Sequence, residues 1–178
     1  MPYGRYIGPE VKADMEALLL LGGNTGDPTT TLARAIGALG SGPGEVLAIS
    51  RDHWSEPWGF PPTRRGEASD ERLFLNKAVL LRTALAPMQL MSECLRIEEL
   101  LGRKRGEGEG YASRPIDIDV LLIDNAVIDE PGLRVPHQHM HERLFALAPA
   151  ADVAPEWIHP VLQRSVLDLL NSAFSERR

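Results

Sequence analysis

Cysteine is almost absent from this 178-residue chain, and the single Cys94 excludes an internal disulfide framework. A reducing, cytoplasmic setting is the expectation. Long apolar runs are missing as well. None approaches the roughly 18 residues needed to cross a bilayer, and Lys12, Asp14 and Glu16 stand where a secretion signal would be apolar. Membrane and secretion readings fall away. Excess positive charge is also lacking: the formal net charge is -6, which argues against nucleic-acid binding, because non-specific affinity for nucleic acid comes from basic surface. Lysine is scarce, with Lys12, Lys77 and Lys104 against sixteen arginines. Arginine suits bidentate phosphate recognition, but a base-composition bias in the source genome produces the same skew, so location must decide. What is present is the 43% hydrophobic and 25% charged make-up of an ordinary soluble domain. A domain of about 150 residues buries roughly 68–70% of its unfolded surface and needs no staple.

Residues 1–16 carry Pro2, Gly4, Gly8 and Pro9 without periodicity and read as a flexible extension before a single domain over 17–178. Ala17–Leu21, ending at Gly22-Gly23, reads as a strand buried on both faces. Asp27 and Pro28 mark a helix start, Leu32, Ala35, Ile36 and Leu39 supply its stripe, and Gly40 is its expected stop. Glu45–Ser55 reads as a second strand and Phe74–Thr83 as a third, separated by a Pro-, Gly- and charge-rich loop. Pro87 opens a second helix with a stripe through Leu90, Cys94, Ile97 and Leu101, closing at Gly102. After another charged loop come a strand over Ile116–Ile123, a turn at Asp124-Asn125 and a short strand around Ala126–Ile128. Helical segments over His141–Ala151 and Ser165–Phe174 close the chain, with Pro155 and Pro160 as breakers between them. This order predicts an α+β fold: a ferredoxin-like (split βαβ) antiparallel sheet with helices on both faces in three layers. Such a fold hosts many functions.

The segment Arg114-Pro115-Ile116-Asp117-Ile118-Asp119-Val120-Leu121-Leu122 carries the most chemistry. Alternation along a strand turns Ile116, Ile118, Val120 and Leu122 one way and Asp117 and Asp119 the other, with the two carboxylates about 6–7 Å apart. Two like charges on one face invite a cation, and hard oxygen ligands of this kind suit Mg²⁺. The alternative is a solvated edge strand guarded by two acids. Arg103, Arg105 and Arg114 lie within the preceding dozen residues and place phosphate donors beside the metal-type acceptors, as phosphoryl transfer requires. Gly22-Gly23-Asn24-Thr25-Gly26 lacks the lysine and spacing of a phosphate-binding loop and reads as a strand-to-helix turn. His137, His139 and His141 need not share a strand, so a phosphate contact from His137, with Arg143 nearby, is more economical than zinc. Trp54, Trp58 and Phe60 with Phe74-Leu75-Asn76 suit a flat heterocycle held by rings and an amide, although Trp54 and Phe74 taken singly are more at home in a core. Cys94 sits on a helix stripe as inert core.

Taken together, Gly22–Asp27, Glu56-Pro57-Trp58-Gly59-Phe60, Phe74-Leu75-Asn76, Ile97-Glu98 through Gly102-Arg103, Arg114–Asp119 and Val135-Pro136-His137 with Met140 and Arg143 resemble the 6-hydroxymethyl-7,8-dihydropterin pyrophosphokinases of folate biosynthesis. The resemblance covers roughly residues 17–171. It implies transfer of the β,γ-pyrophosphoryl group of ATP to the hydroxymethyl oxygen of the pterin, with release of AMP. It also implies two Mg²⁺ held by Asp117 and Asp119, catalysis by these two with Arg103, Arg105 and Arg114, and an ATP site that adds Glu98, Val120, His137 and Arg143. Ser55, Pro57, Trp58, Phe74, Asn76, Tyr111 and Phe145 would enclose the pterin, in a monomer whose partners are ATP and the pterin. Ser113 and Gly110 stand where the family often has proline and a further arginine, and Tyr111 replaces a frequent tryptophan; these departures bear on the loop that closes over substrates. No strong base is needed, Asp119 being the candidate if one acts. Another two-metal phosphoryl or nucleotidyl transferase, and a non-catalytic binding module, are the competing readings. The aromatic and Asn cluster speaks against the first, and the intact Asp and Arg set against the second.

Overall fold

The computed structural model describes residues 14–57, 73–104 and 113–175. The order of elements is β1 (Met15–Gly23), α1 (Pro28–Ser41), β2 (Glu45–Ile49), β3 (His53–Ser55), β4 (Phe74–Thr83), α2 (Pro87–Leu100) and β5 (Asp117–Ile123). Then follow β6 (Ile128–Glu130), β7 (Leu133–Val135), a 3-10 turn at Met140–Glu142, α3 (Leu144–Val153), β8 (Ile158–His159), β9 (Arg164–Ser165) and α4 (Val166–Ser175). The main sheet runs β2-β4-β1-β5 with every pair antiparallel, and β3 pairs with β4 beyond the end of β2. Counting β2 and β3 as one position, this is the ferredoxin-like order.

The two faces of β1 explain the layers. Ala17, Leu19 and Leu21 pack with Leu32, Ala35 and Leu39 of α1 and Leu90, Cys94 and Ile97 of α2. Leu18 and Leu20 pack on the opposite side with Ala146, Leu147 and Ala150 of α3 and Val166 and Leu169 of α4. A strand buried on both faces must be apolar throughout, and the run from Ala17 to Leu21 satisfies this. The fold is therefore α+β in three layers, as expected.

Several boundaries differ from the sequence reading. β1 begins at Met15, within the segment expected to be flexible; residues 1–13 lie outside the described residues. Asp27 caps α1, accepting from the Thr30 amide at 3.2 Å, but the helix runs past Gly40 to Ser41. The second strand is broken in two because Ser50 leaves the regular ladder: its amide donates to the Ala78 carbonyl at 2.9 Å, and its hydroxyl accepts from the Ala78 amide at 2.9 Å. β5 begins one residue later than expected and loses register against β1 between Leu18 and Leu19, so that Leu121 has no partner residue. Leu122 consequently turns into the α3 and α4 layer, away from Ile118 and Val120. The short strand lies at Ile128–Glu130 and pairs with an unanticipated β7. The third helix starts at Leu144, after the 3-10 turn, and the small β8–β9 hairpin lies between α3 and α4, with Pro160 in its turn and β9 beyond it. Among the described residues no helix is long and apolar enough to cross a membrane.

Candidate active site

Beyond the part of the sheet that α3 covers, the same face stays open and forms a cleft. Its floor is Leu20 and Gly22 of β1, Asn76 of β4, and Asp117 and Asp119 of β5; Ser55, Glu56 and Phe74 make one wall, and Arg143 and Phe145 at the start of α3 make the other. Arg114 and His137 complete it. The alternation of β5 is what delivers both carboxylates here while Ile118 and Val120 enter the core. A second cleft, bounded by Met91, Val120, Leu133, Arg134 and Gln138, also reaches Asp119 and His137.

Asp117 is held by two guanidinium groups. Arg114 Nη1 donates to its Oδ2 at 2.8 Å, and Arg103 Nη1 to its Oδ1. Burial opposes the charge on Arg103, yet the carboxylates of Asp117 and Glu98 hold that guanidinium above its ordinary value. Glu98 is buried, accepting from the Ile118 amide at 2.7 Å and pairing with Arg103 at 2.9 Å. It therefore orients Arg103 and anchors the start of β5, and lies in neither cleft. Asp119 is different. Burial first, then the negative fields of Asp117 and Glu98, push its carboxyl up to about 7, against the pull of Arg143 and Arg114. Burial and the positive fields of Arg143 and His139 push His137 down to about 4, so it is neutral at physiological pH. The His139 amide donates to His137 Nδ1 at 3.3 Å, which selects the tautomer with the proton on Nε2.

On the other half of the cleft, the side-chain amide of Asn76 is fixed. Its Nδ2 donates to Ser55 Oγ at 2.9 Å, to the Phe74 carbonyl at 3.2 Å and to the His53 carbonyl at 3.3 Å. That arrangement leaves Oδ1 as the atom offered to a ligand N–H. The Arg143 guanidinium lies 5.7 Å from the Phe145 ring centroid, a cation-π distance.

Of the residues expected in the site, Ser55, Phe74, Asn76, Arg114, Asp117, Asp119, His137, Arg143 and Phe145 share the first cleft, and Val120 borders the second. Arg103 is brought in through Asp117. Pro57 is half-buried beside Glu56 and does not line the cleft. Trp58, Arg105 and Tyr111 lie outside the described residues. Among the described residues His137, His139 and His141 join no group of three or more metal-type ligands.

The sequence reading missed Asn24. It is buried, its Oδ1 accepts from the Arg114 amide at 2.9 Å and its Nδ2 donates to Ser113 Oγ at 3.0 Å; its own amide donates to the Arg114 carbonyl at 3.0 Å. Asn24 thus pins the segment that carries Arg114, and Ser113 is one of its partners. Gly23 permits this approach, since a Cβ there would lie 2.3 Å from the Pro115 carbonyl oxygen. Gly22, Glu56 and Leu20 were also missed. The Gly-Gly-Asn run was the available signal for Gly22 and Asn24, the Glu56–Phe60 motif was the signal for Glu56, and no local signal marks Leu20.

The family model for 7,8-dihydro-6-hydroxymethylpterin-pyrophosphokinase matches residues 18–155. A Methylorubrum extorquens protein named 2-amino-4-hydroxy-6-hydroxymethyldihydropteridine pyrophosphokinase is 41% identical over 143 residues, 80% of this chain and 84% of that protein. Proteins of the same name from Porphyromonas gingivalis and Bacillus subtilis are 39% and 36% identical, over 80% and 79% of this chain and 92% and 78% of their own lengths. A solved HPPK-DHPS chain in complex with substrates superposes with a TM-score of 0.72 at 14% identity, over 92% of this chain and 44% of that one. A Plasmodium falciparum HPPK-DHPS chain does so with a TM-score of 0.72 at 16% identity, over 93% and 46%. This chain spans less than half of those solved chains, and at such identity they establish the fold alone. The family match and the relatives carry the assignment: the chain belongs to the 7,8-dihydro-6-hydroxymethylpterin-pyrophosphokinase family.

Proposed function

We propose that the first cleft is where this chain transfers the pyrophosphoryl group of ATP to hydroxymethyldihydropterin, with Asp117 and Asp119 as the metal-holding pair. The observation that carries the reading is that two clefts of different character meet at Asp119 and His137. One offers rings and a fixed amide to a heterocycle; the other, between β5 and β7, offers room for a nucleoside. The phosphates then lie between them, beside the acids and arginines.

The donor set fits magnesium. Two carboxylates supply hard oxygens, and Asp119, raised first by burial and then by the negative fields of Asp117 and Glu98, is a charge that a divalent cation would stabilise. Two Mg²⁺ bound with ATP would supply neutralisation of triphosphate charge and a fixed path for displacement. The chain's own residues do the rest. Arg114 and Arg143 contact phosphate oxygens, Arg103 steadies Asp117, and neutral His137 donates from Nε2–H. Asn76 Oδ1 accepts from a pterin N–H, and Phe74 and Phe145 pack on the ring faces. The hydroxymethyl oxygen attacks the β-phosphorus and releases its proton to solvent, the bond from that phosphorus to the α,β-bridging oxygen breaks, and AMP leaves. Positioning and charge stabilisation account for such a reaction without covalent help from the protein.

The chain acts as a monomer in this reading, and the near absence of cysteine supports a cytoplasmic setting. Incubation with ATP, Mg²⁺ and reduced hydroxymethylpterin tests the reading. The expected products are AMP and a pterin diphosphate; ADP as the nucleotide product, or no turnover, overturns it.

A further inference from the structure

Outside the site, Asp152 near the C-terminus of α3 is the centre of a cluster. The Arg51 amide donates to its Oδ2 at 3.2 Å, Arg51 Nε to the same oxygen at 3.1 Å and Arg51 Nη2 to Oδ1 at 2.8 Å, while His53 Nε2 lies 2.8 Å from Oδ2. The Asp152 and His53 side chains are only 16% and 22% exposed. These bonds hold the Asp152 carboxyl far below its usual range, chiefly through Arg51.

The placement of the cluster relates it to the cleft. Arg51, His53 and Ser55 alternate along one face of the extended segment that enters β3, so the side chains bonded to Asp152 lie on the face that further on presents Ser55. The His53 carbonyl also accepts from Asn76 Nδ2. On α3, Phe145 at one end lines the cleft, and Asp152 lies seven residues on, about 10 Å along the axis. One wall of the cleft therefore belongs to a three-residue edge strand and the other to the start of α3. A short edge strand held by few ladder bonds is compliant, and its distance from α3 needs a cross-tie.

We propose that Asp152, acting through Arg51 and His53, is a positioning residue that sets the separation between β3 and α3 and so the fit of the heterocycle half of the cleft. The inference rests on the assignment of the pterin to the half that contains Ser55, Asn76 and Phe145. Asp152 touches no substrate; it acts through the strand that does.

Steady-state kinetics of Asp152→Asn, Asp152→Ala and Asp152→Glu, with Asn76→Ala as reference, test the idea. Asp152→Asn and Asp152→Ala are expected to raise the KM for the pterin about threefold to fivefold, the scale of an ion pair whose Arg51 side chain is 81% exposed. The KM for ATP and kcat should stay within about twofold, and Asp152→Glu should restore most of the pterin KM, because a carboxylate still reaches Arg51. A merely structural role would lower thermal stability and the active fraction without moving the pterin KM. If Asp152→Ala fails to fold, the isosteric Asp152→Asn carries the test. An unchanged pterin KM in Asp152→Asn, beside a raised one in Asn76→Ala, overturns the clasp and leaves the site reading standing. Unchanged values in all variants, Asn76→Ala included, overturn the site reading and the clasp with it.

Discussion

Two neighbouring carboxylates on one strand behave unlike each other, and the difference is set by partners. Asp117 is paired with Arg103 and Arg114, whereas Asp119 meets burial and two other acids, so the pair already contains one satisfied and one strained charge. Asp117→Asn and Asp119→Asn are each expected to lower Mg²⁺-dependent turnover by at least about 10²-fold, the scale seen when a charge-stabilising group is lost. Circular dichroism should show an intact fold in both; near-normal AMP production in either removes that residue from the metal pair. Asn24 makes a different kind of prediction. Replacing it by alanine leaves the Arg114 amide without its buried acceptor, so Asn24→Ala should cost about 1–3 kcal/mol of stability. It should also slow turnover while the KM for the pterin holds, since Arg114 shifts and Asn76 does not. A variant that loses stability alone would make Asn24 a packing residue. Asn24 and Arg114 are ninety positions apart, which is why a reading of local pattern finds the acids and arginines and passes over the residue that aims one of them.

At the scale of elements, legibility follows the range of the interactions. Asp27-Pro28 announces α1 because capping is local, and Phe74–Thr83 and the alternation of β5 declare themselves because side-chain period is local too. Gly40 failed as a stop because α1 is held on by Leu39 packing into the layer between helices and sheet. The break between β2 and β3, the turning of Leu122 and the existence of β7 depend on pairings with β4, β1 and β6, which no local window contains. Ser50 shows the point in a single side chain. Its hydroxyl takes the place of a strand carbonyl for the Ala78 amide, so Ser50→Ala strands a buried donor and should destabilise the protein by about 1–3 kcal/mol. Urea unfolding measures this, and a change under a few tenths would mean that the ladder closes without the hydroxyl. The arginines follow the same rule: Arg103, Arg114 and Arg143 matter through where strands and helices bring them, beside Glu98, Asp117 and Asp119, so the net charge of -6 says little about the local field in the cleft.

Across the whole molecule, the site leaves a signature on how stability depends on pH. His137, held at about 4, and His159, held below its ordinary value by burial and by His141, are neutral in the folded chain where the unfolded chain still binds protons. For His137 the unfolded state then carries more protons between about 4 and the ordinary histidine value near 6.5, and His159 adds a contribution of the same sign below that value, so both make stability rise with pH. Asp119 has the opposite sign. Its folded value near 7 lies above the ordinary carboxylate value of 3.8, so the folded chain carries the extra proton, and stability falls as pH rises between those two values. The two effects oppose each other, so the metal-free protein should show a shallower pH dependence of stability there than the histidines alone would give. Asp119→Asn removes one side of that balance. Its stability should rise with pH over the interval, and in EDTA at pH 8 it should melt at least about 3 °C above the parent, a shift of order 1 kcal/mol for a chain of this length. At pH 4, where the parent carboxyl is protonated, the difference should vanish. Melting curves of parent and variant at the two pH values decide it: a variant no more stable than the parent at pH 8 would show that Asp119 is not a strained charge, and the cleft would lose its reason to draw in a divalent cation.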